Sequence, residues 1–542
     1  MSDKLPNIVF IMCDDLAWGD LSSHGNPYVR TDVIDRLRSQ SARLTRYCSG
    51  PVCTPARAAI FTGRHPYRTR AIDTYLGRSI IDSEERTLAE LLRTTGYCTG
   101  LFGKWHLGDT YPSRPHDKGF HEAIYHTGGG LRQPGNVGRN SYFNPDLMSN
   151  GRLIHTEGYC SDVFTDACLK FIDGHRSGPF FAFLAFNAPH SPFEIGDKWL
   201  ARHRAQDLPD KWKRLYGMIE NIDWNVGRVI DKLDMLKLSE RTIVVFTSDH
   251  GPCPSAQVDG QDRFNAGLRG RKGQMYEGGL RVPSLWRWPG HFPAGLDIDR
   301  LTNPIDILPT LTSPPTDRCI DGRNLMKLLR GDQTNWPDRS VCVQWHRGNT
   351  PQRGRNAANL RQRWKWIRDE TTNREELFDV ESDPHERYNI TEENQSVATA
   401  MRIEYEKWFD DVSTTRADNF APQSIVIGSP RENPTTLTWQ DWRIYGNDEN
   451  WSELNPGYWI VQVDRPGPYI LTIDLLPQIS ECTLIVHCGE YHTCILVPPG
   501  LLAHEIENVC LTVGTWQFEA YLDFQGRRVG VKNVHVRSIL SG

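Results

Sequence analysis

Two short runs of unbroken apolar residues constrain this chain more than any other feature. They are NIVFIMC, Asn7 to Cys13, and TIVVFTS, Thr242 to Ser248. Both are rich in β-branched residues, and neither alternates with polar ones. A strand with one wet face would alternate, so these are expected to be covered on both faces, as strands of a parallel sheet are. PFFAFLAF, Pro179 to Phe186, has the same character. Amphipathic helices lie between them. Thr87 to Thr95 opens on a Thr87/Glu90 capping box, buries Leu88, Leu91 and Leu92, and stops at Gly96. From Arg214 to Lys237, apolar residues recur every three or four positions between Leu215 and Leu236. Strands alternating with helices predict an α/β fold built on a mostly parallel central sheet.

The 542 residues exceed one ordinary core, so more than one domain is expected. The character changes near Trp336. Val341 to Trp345, Lys365 to Arg368 and Glu376 to Phe378 read as short strands of a small mixed α+β subdomain. Pro422, Pro430 and Pro434 then punctuate a linker. Period-2 runs from Gly457 to Ile539 predict an antiparallel β-sandwich. The expected organisation is a catalytic unit over 1–420, with its main α/β domain over 1–335 and its subdomain over 336–420, followed by an accessory sandwich over 421–542.

A hydrophobic content of 38% argues against global disorder. With 62 basic and 67 acidic residues, nothing suggests a nucleic-acid binder or a basic membrane-surface protein. No apolar run approaches the length of a membrane-spanning helix. The N-terminus shows no signal peptide, which reads as cytoplasmic, or as periplasmic or secreted if a leader has been trimmed. The 13 cysteines include no CxxC pair, which argues against a zinc ribbon and a disulfide framework.

Several constellations carry chemistry. Asp14-Asp15 directly follows the first strand, and Asp249-His250-Gly251 directly follows TIVVFTS. Ligands gather at the carboxyl ends of parallel strands, so two acidic clusters at two such ends can converge on one cation. Three carboxylates suit a hard ion such as Ca²⁺ or Mg²⁺ better than zinc, and His250 adds a nitrogen. Taken singly, Asp14 reads equally well as a helix cap and Asp249 as a turn residue. In CTPAR, Cys53 to Arg57, Thr54 suits the cap and Pro55 the first helical position, with Cys53 just outside a helix that stops at Gly63. A helix N-terminus favours anions, and Arg57 in the first turn is misplaced unless it faces one. In GKWHLG, Lys104 and His106 lie two apart in what reads as a strand end and so can project the same way. His190 follows Pro179 to Phe186 in APHSPF, and Lys272 sits in the Gly-rich GRKGQMYEGGLRVP. Alone, each of these last residues reads as structural or solvated.

Together, and in this order, these segments resemble the sulfatase family of the alkaline-phosphatase-like superfamily. The likeness runs through IVFIMCDDLAWGDL, CTPARAAIFTGRHP, TLAELLRTTGYCTGLFGKWHLG, APHSPF, TIVVFTSDHG and GRKGQMYEGGLRVP, and continues into ELFDVESDPHERYNI, Glu376 to Ile390. It covers roughly residues 5 to 410. The resemblance implies that Cys53 is converted to formylglycine, an aldehyde, by a maturation enzyme. It also implies that Asp14, Asp15, Asp249 and His250, with residue 53, hold a divalent cation, usually Ca²⁺, with Mg²⁺ or Mn²⁺ as alternatives. Many members carry Asn where this chain has His250, and others carry His.

The implied chemistry is hydrolysis of sulfate monoesters. The cation, Lys104 and Lys272 would neutralise the sulfate oxygens, and Arg57 would position the nucleophile. The aldehyde hydrate is a gem-diol whose first hydroxyl attacks sulfur. His190, helped by Lys272, is the candidate general acid for the leaving alcohol, and His106 the candidate base that deprotonates the second hydroxyl, so that sulfate leaves by C–O cleavage. A Ser or Cys nucleophile lacks that second hydroxyl.

Two other readings stand beside it. A phosphonate monoesterase or phosphodiesterase of the same superfamily would share the metal cluster and the formylglycine motif. An inactive glycan-binding protein would have lost catalytic residues, whereas every candidate position here is filled. Trp439, Trp442, Trp451, Trp459 and Trp516 read more readily as sandwich core than as carbohydrate contacts. Substrate selection is expected from the loops Tyr111 to Asn150, with Arg132 and Arg139, and Gln344 to Arg355. A sulfated carbohydrate is expected ahead of an aryl sulfate.

Overall fold

The structure, a computed structural model, describes residues 5–133, 135–253, 257–258, 261–314, 318–334, 336–414, 420–445, 452 and 455–540. Its centre is a ten-stranded mixed sheet. The strands are β1 (Asn7–Cys13), β2 (Ala42–Leu44), β3 (Cys98–Gly103), β4 (Glu122–Tyr125), β5 (Asp146–Ser149), β6 (Arg152–His155), β7 (Phe180–Ala185), β8 (Thr242–Ser248), β9 (Ser284–Arg287) and β10 (Asp297–Ile298). They run in the order β10-β2-β9-β8-β1-β7-β3-β4-β5-β6. The middle five, β8 to β4, are parallel, and antiparallel strands extend the sheet on either side. The three apolar runs read from sequence are β1, β7 and β8.

Both faces are covered, for the reason the unbroken runs implied. Val9, Ile11 and Cys13 enter one core with the Cys160–Gly174 and Asp210–Met235 helices. Ile8, Phe10 and Met12 enter the other, with Ala58, Ile60 and Phe61 of the Cys53–Thr62 helix and Leu88, Leu91 and Leu92 of the Leu88–Thr94 helix. That last helix keeps its expected Thr87/Glu90 capping box. The long helix starts four residues before the expected Arg214, because Pro209 is its cap.

Register places the chemistry. Met12 pairs with both Ala185 and Thr247, Cys13 with Ser248, and Gly103 with Ala185. The carboxyl ends of β1, β3, β7 and β8 therefore lie level. The residues leaving them, Asp14, Lys104, the His190 loop and Asp249, start from one edge of the sheet.

After residue 336, an antiparallel sheet of β11 (Val341–Gln344), β12 (Ala357–Leu360), β13 (Trp364–Asp369) and β14 (Arg374–Asp379) packs on the Gln395–Ser413 helix. Neither that helix nor β12 is marked in the sequence. β12 reads AANL, a poor strand former, and is held by pairing on both edges. Beyond residue 420, two further sheets face one another across a core that includes Trp442, Trp459, Val461, Leu471, Leu484 and Phe518. The segment expected as a linker contains one of their strands, Ile425–Ile427, which pairs in parallel with Gly457–Val463, so this sandwich is not wholly antiparallel. Trp442 and Trp459 are fully buried, and Trp439 and Trp516 pack against the same core, as the core reading expects. Trp451 lies outside the described residues. Leu76 and Ile80, far away in sequence, complete this core.

Gly103 joins β3 to the site with φ +120°, and a Cβ built there would fall 1.8 Å from the Ala185 carbonyl oxygen. Gly103→Ala is therefore expected to cost about 2 kcal/mol or more through backbone strain and a clash the central strand cannot relieve. Denaturant unfolding would show the lowered midpoint; an unchanged midpoint would contradict this account.

Candidate active site

The Asp14 and Asp249 clusters meet where β1 and β8 end. Asp249 N donates to Cys13 O at 3.2 Å, and Asp15 N donates to Asp249 Oδ1 at 3.3 Å. Asp15 takes a left-handed backbone, φ +66°, which a short polar side chain tolerates better than most. Asp14, Asp15, Asp249 and His250 are all fully buried. Ligand-capable atoms of Asp14, Cys53, Asp249 and His250 lie within 4.8 Å of one another. Asp15 stands beside that group: its Oδ1 is 3.4 Å from His250 Nδ1, and its buried Oδ2 accepts no hydrogen bond among the described residues.

Cys53 occupies the first position of the Cys53–Thr62 helix, with Val52 as the cap. The sequence reading put it just outside, because Thr54 and Pro55 suit the cap and first turn; in the structure the helix starts two residues earlier than that. The helix ends as expected at left-handed Gly63. Cys53 Sγ is 3.1 Å from His250 Nε2, 3.3 Å from Lys272 Nζ and 3.5 Å from Asp14 Oδ1. Burial and Asp14 oppose a thiolate there, yet Lys104, Lys272 and His250 together bring Cys53 down to about 5.

The anion that Arg57 faces is Asp249. Its Nε and Nη2 both donate to Asp249 Oδ2, at 3.2 and 2.9 Å, and Nη1 donates to the Lys104 carbonyl at 2.8 Å. Both side chains are fully buried. One guanidinium thus ties the helix, β8 and the β3 loop together.

Lys104 and His106 do not project together as a strand end would have them. β3 stops at Gly103, and left-handed His106, φ +58°, turns its ring away. Lys104 Nζ donates to Asp14 Oδ2 at 2.6 Å with no solvent exposure. His106 lines an open cavity of about 300 Å³, with Cys53, His190 and Lys272. Its Nε2 is 3.3 Å from the Thr74 carbonyl, and its buried Nδ1 has no hydrogen-bond partner among the described residues. Burial, then Lys104 and Arg57, hold His106 well below its usual range, so the ring is neutral. Lys272 Nζ donates to Asp15 Oδ1 at 2.8 Å, and that carboxylate, against the cost of burial, keeps it charged. His190 has Nδ1 2.6 Å from the Ser191 carbonyl, and Nε2 3.3 Å from Gln133 Nε2 and 3.8 Å from Asp15 Oδ2.

Burial alone would protonate these carboxyls, but Lys104, His190, Lys272 and Arg57 hold Asp14 well below the ordinary range, and Lys272 and His190 bring Asp15 to about 2. Asp249 is the exception, raised by burial. Burial disfavours charge on His250 too, but Asp249 and Cys53 carry it up to about 9. A divalent ion would require neutral His250 and would take over the role of that proton.

Several neighbours were invisible in the sequence. Tyr75, Trp345 and Arg347 line the cavity mouth. Arg347 Nη1 donates to Asp73 Oδ1 at 2.7 Å, and its guanidinium lies over the Tyr75 and Trp345 rings. Trp345 and Arg347 fall in the expected Gln344–Arg355 loop; Tyr75 carried no signal. Of the two arginines singled out in the other loop, Arg132 pairs with Glu194 at 3.0 Å and Arg139 with Asp146 at 3.4 Å. No disulfide forms among the 13 cysteines.

Comparison with known proteins agrees with this architecture. Residues 6–313 match the sulfatase family model, and residues 270–409 match that of the N-sulphoglucosamine sulphohydrolase C-terminal region. Arylsulfatase H of Canis lupus familiaris is 33% identical over 418 residues, covering 60% of this chain and 72% of that protein. N-acetylgalactosamine-6-sulfatase of Sus scrofa is 28% identical over 490 residues, covering 80% of this chain and 90% of that protein. The crystal structure of Ps i-CgsB superposes with a TM-score of 0.68 at 26% identity, covering 78% of this chain and 100% of that one. The same protein has been solved with k-i-k-neocarrahexaose, at a TM-score of 0.67 and 26% identity, covering 77% of this chain and 99% of that one.

Arg57→Met would leave the buried Asp249 carboxylate without its guanidinium. Breaking a buried pair from one side costs about 3–5 kcal/mol. Urea unfolding should show a lower midpoint, and a midpoint equal to that of the unaltered protein would refute the pairing as a structural tie.

Proposed function

The chain belongs to the sulfatase family, and on that premise we propose that it hydrolyses sulfate monoesters of carbohydrates with residue 53, matured from cysteine to formylglycine, as the nucleophile. The observation that carries this reading is the position of Cys53. Among the described residues, it alone belongs both to the Asp14/Asp249/His250 cluster and to the open cavity lined by His106, His190 and Lys272.

The donor set fits a hard divalent cation. It offers carboxylate oxygens from Asp14 and Asp249, one nitrogen from His250, an unpartnered oxygen on Asp15, and residue 53. Ca²⁺ is the ion we favour. A cation there would neutralise sulfate oxygens and acidify a hydroxyl. Formylglycine, hydrated, would supply two hydroxyls on one carbon, and the chain depends on a maturation enzyme to make it.

The chain's own residues account for the rest. Lys272 reaches the cavity wall and is the cation that meets the sulfate oxygens directly. Lys104 lies beneath Asp14 and acts by holding that carboxylate charged and oriented. Arg57 orients Asp249 by donating to its Oδ2 from two nitrogens. His190 is tied at Nδ1 to the Ser191 carbonyl, so Nε2, 3.8 Å from Asp15 Oδ2, is the nitrogen through which it would pass a proton to the leaving alcohol. His106, neutral and free at Nδ1, is suited to accept a proton from the nucleophile. Tyr75 and Trp345 line the cavity and offer a sugar ring the aromatic surface that Arg347, held by Asp73, does not cover. That mouth, together with N-acetylgalactosamine-6-sulfatase as a relative and the neocarrahexaose complex of the similar structure, supports carbohydrate over a small aryl ester.

Cys53→Ala is expected to lower kcat on an aryl sulfate by at least ~10³-fold, as removal of a catalytic nucleophile does elsewhere. Peptide mass spectrometry of the protein co-expressed with a maturation enzyme should find an aldehyde at position 53. Full activity in the alanine variant, or greater activity on an aryl phosphodiester than on any of a panel of sulfated sugars, would overturn the reading. A chelator should abolish turnover and added Ca²⁺ restore it.

A further inference from the structure

We infer that the C-terminal β-sandwich completes the active site, and that its Gln440 is a positioning residue for His106. The inference rests on the role proposed above for His106. Gln440 lies in the turn between strands Thr435–Thr438 and Arg443–Ile444, more than 330 residues beyond His106 in the chain. It is 1% exposed. Its Nε2 donates to the Thr74 carbonyl oxygen and lies 3.3 Å from His106 Nε2. His106 Nε2 is also 3.3 Å from that same carbonyl. Amide, imidazole and carbonyl therefore form one closed contact. With the ring proton on Nε2, His106 and Gln440 both donate to the Thr74 carbonyl, so Gln440 fixes the acceptor that holds the Nε2 edge and packs against that edge, and Nδ1 is left to accept a proton.

The turn is built to deliver this side chain. Its sequence is TWQDW, and the tryptophans on either side anchor it in the sandwich. Trp442 is fully buried against Trp459, with ring centroids 5.7 Å apart, and Trp439 Nε1 donates to the Val531 carbonyl. Asp441, next to Gln440, accepts from Ser79 Oγ at 3.2 Å. Gly135 makes room from the other side, since a Cβ there would fall 2.6 Å from Gln440 Cβ. The segment it meets is shared: Thr74 and Tyr75 line the cavity, while Leu76 and Ile80 belong to the sandwich core. A residue held on both sides of the junction can orient a ring within the tolerance that proton transfer demands.

The test uses the full-length, metal-loaded, matured enzyme. Gln440→Met keeps the volume and removes the amide; Gln440→Ala removes both. Both are expected to lower kcat about 10–100-fold, as loss of an orienting partner does, with KM for an aryl sulfate changed less than about threefold and the thermal midpoint of Gln440→Met close to the parent's. In a His106→Ala background, Gln440→Met should have no further effect on kcat, because it acts only through that ring. Additive losses, an effect confined to KM, or unchanged kcat in both single variants would overturn the inference. Full activity of His106→Ala alone would instead refute the role of His106, so the two failures are distinguishable.

Discussion

Charge balance inside a buried cluster is the constraint on which the rest of this structure depends. Asp14, Asp15 and Asp249 have no exposure at all, and Cys53 is drawn toward its thiolate beside them. Burying such a set uncompensated would be prohibitive. Arg57 answers Asp249, Lys104 answers Asp14, Lys272 answers Asp15, and His250 stands between all three. Each cation arrives from a different segment. The cluster therefore acts as a clamp on the helix at Cys53, the end of β3 and the glycine-rich loop around Lys272. Stability and chemistry draw on the same contacts.

That clamp is possible because the parallel strands end in step. Pairing of Cys13 with Ser248 and of Gly103 with Ala185 sets four exit points at one height. A slip of one residue would exchange the two faces of a strand and send Asp14 and Asp249 apart. The unbroken apolar runs that identify these strands are thus also what aligns the loops carrying Asp14, Lys104, His190 and Asp249.

The sandwich enlarges this picture. Its core takes in Leu76 and Ile80, and its Gln440 reaches the ring of His106. The residues around 74–80 line the cavity on one side and join the sandwich core on the other, so the two parts of the chain share this segment.

Local signals were strong wherever a physical rule acts over a few residues. Continuous apolar strands, the Thr87/Glu90 box, Gly63 as a helix stop and the acidic residues just past β1 and β8 could all be read directly, and ordered motifs joined them into one family. Arg57 was legible as a cation out of place, because a helix N-terminus repels it; that its partner is Asp249 was not. Other features had no local mark. The start of the Cys53 helix moved upstream, His106 turned away from Lys104 on a left-handed backbone, and β12 forms from residues with little strand preference. Tyr75, Arg347 and Gln440 look like ordinary loop residues until the chain is folded. The sequence by itself determined the parallel sheet, the cysteine beside a helix start and the charged groups at the strand ends, since these follow from hydrophobic patterning and short-range backbone chemistry. Only the tertiary structure decided which charge pairs with which and what surrounds the His106 and His190 rings, because those contacts join segments hundreds of residues apart and depend on strand register and on packing between cores.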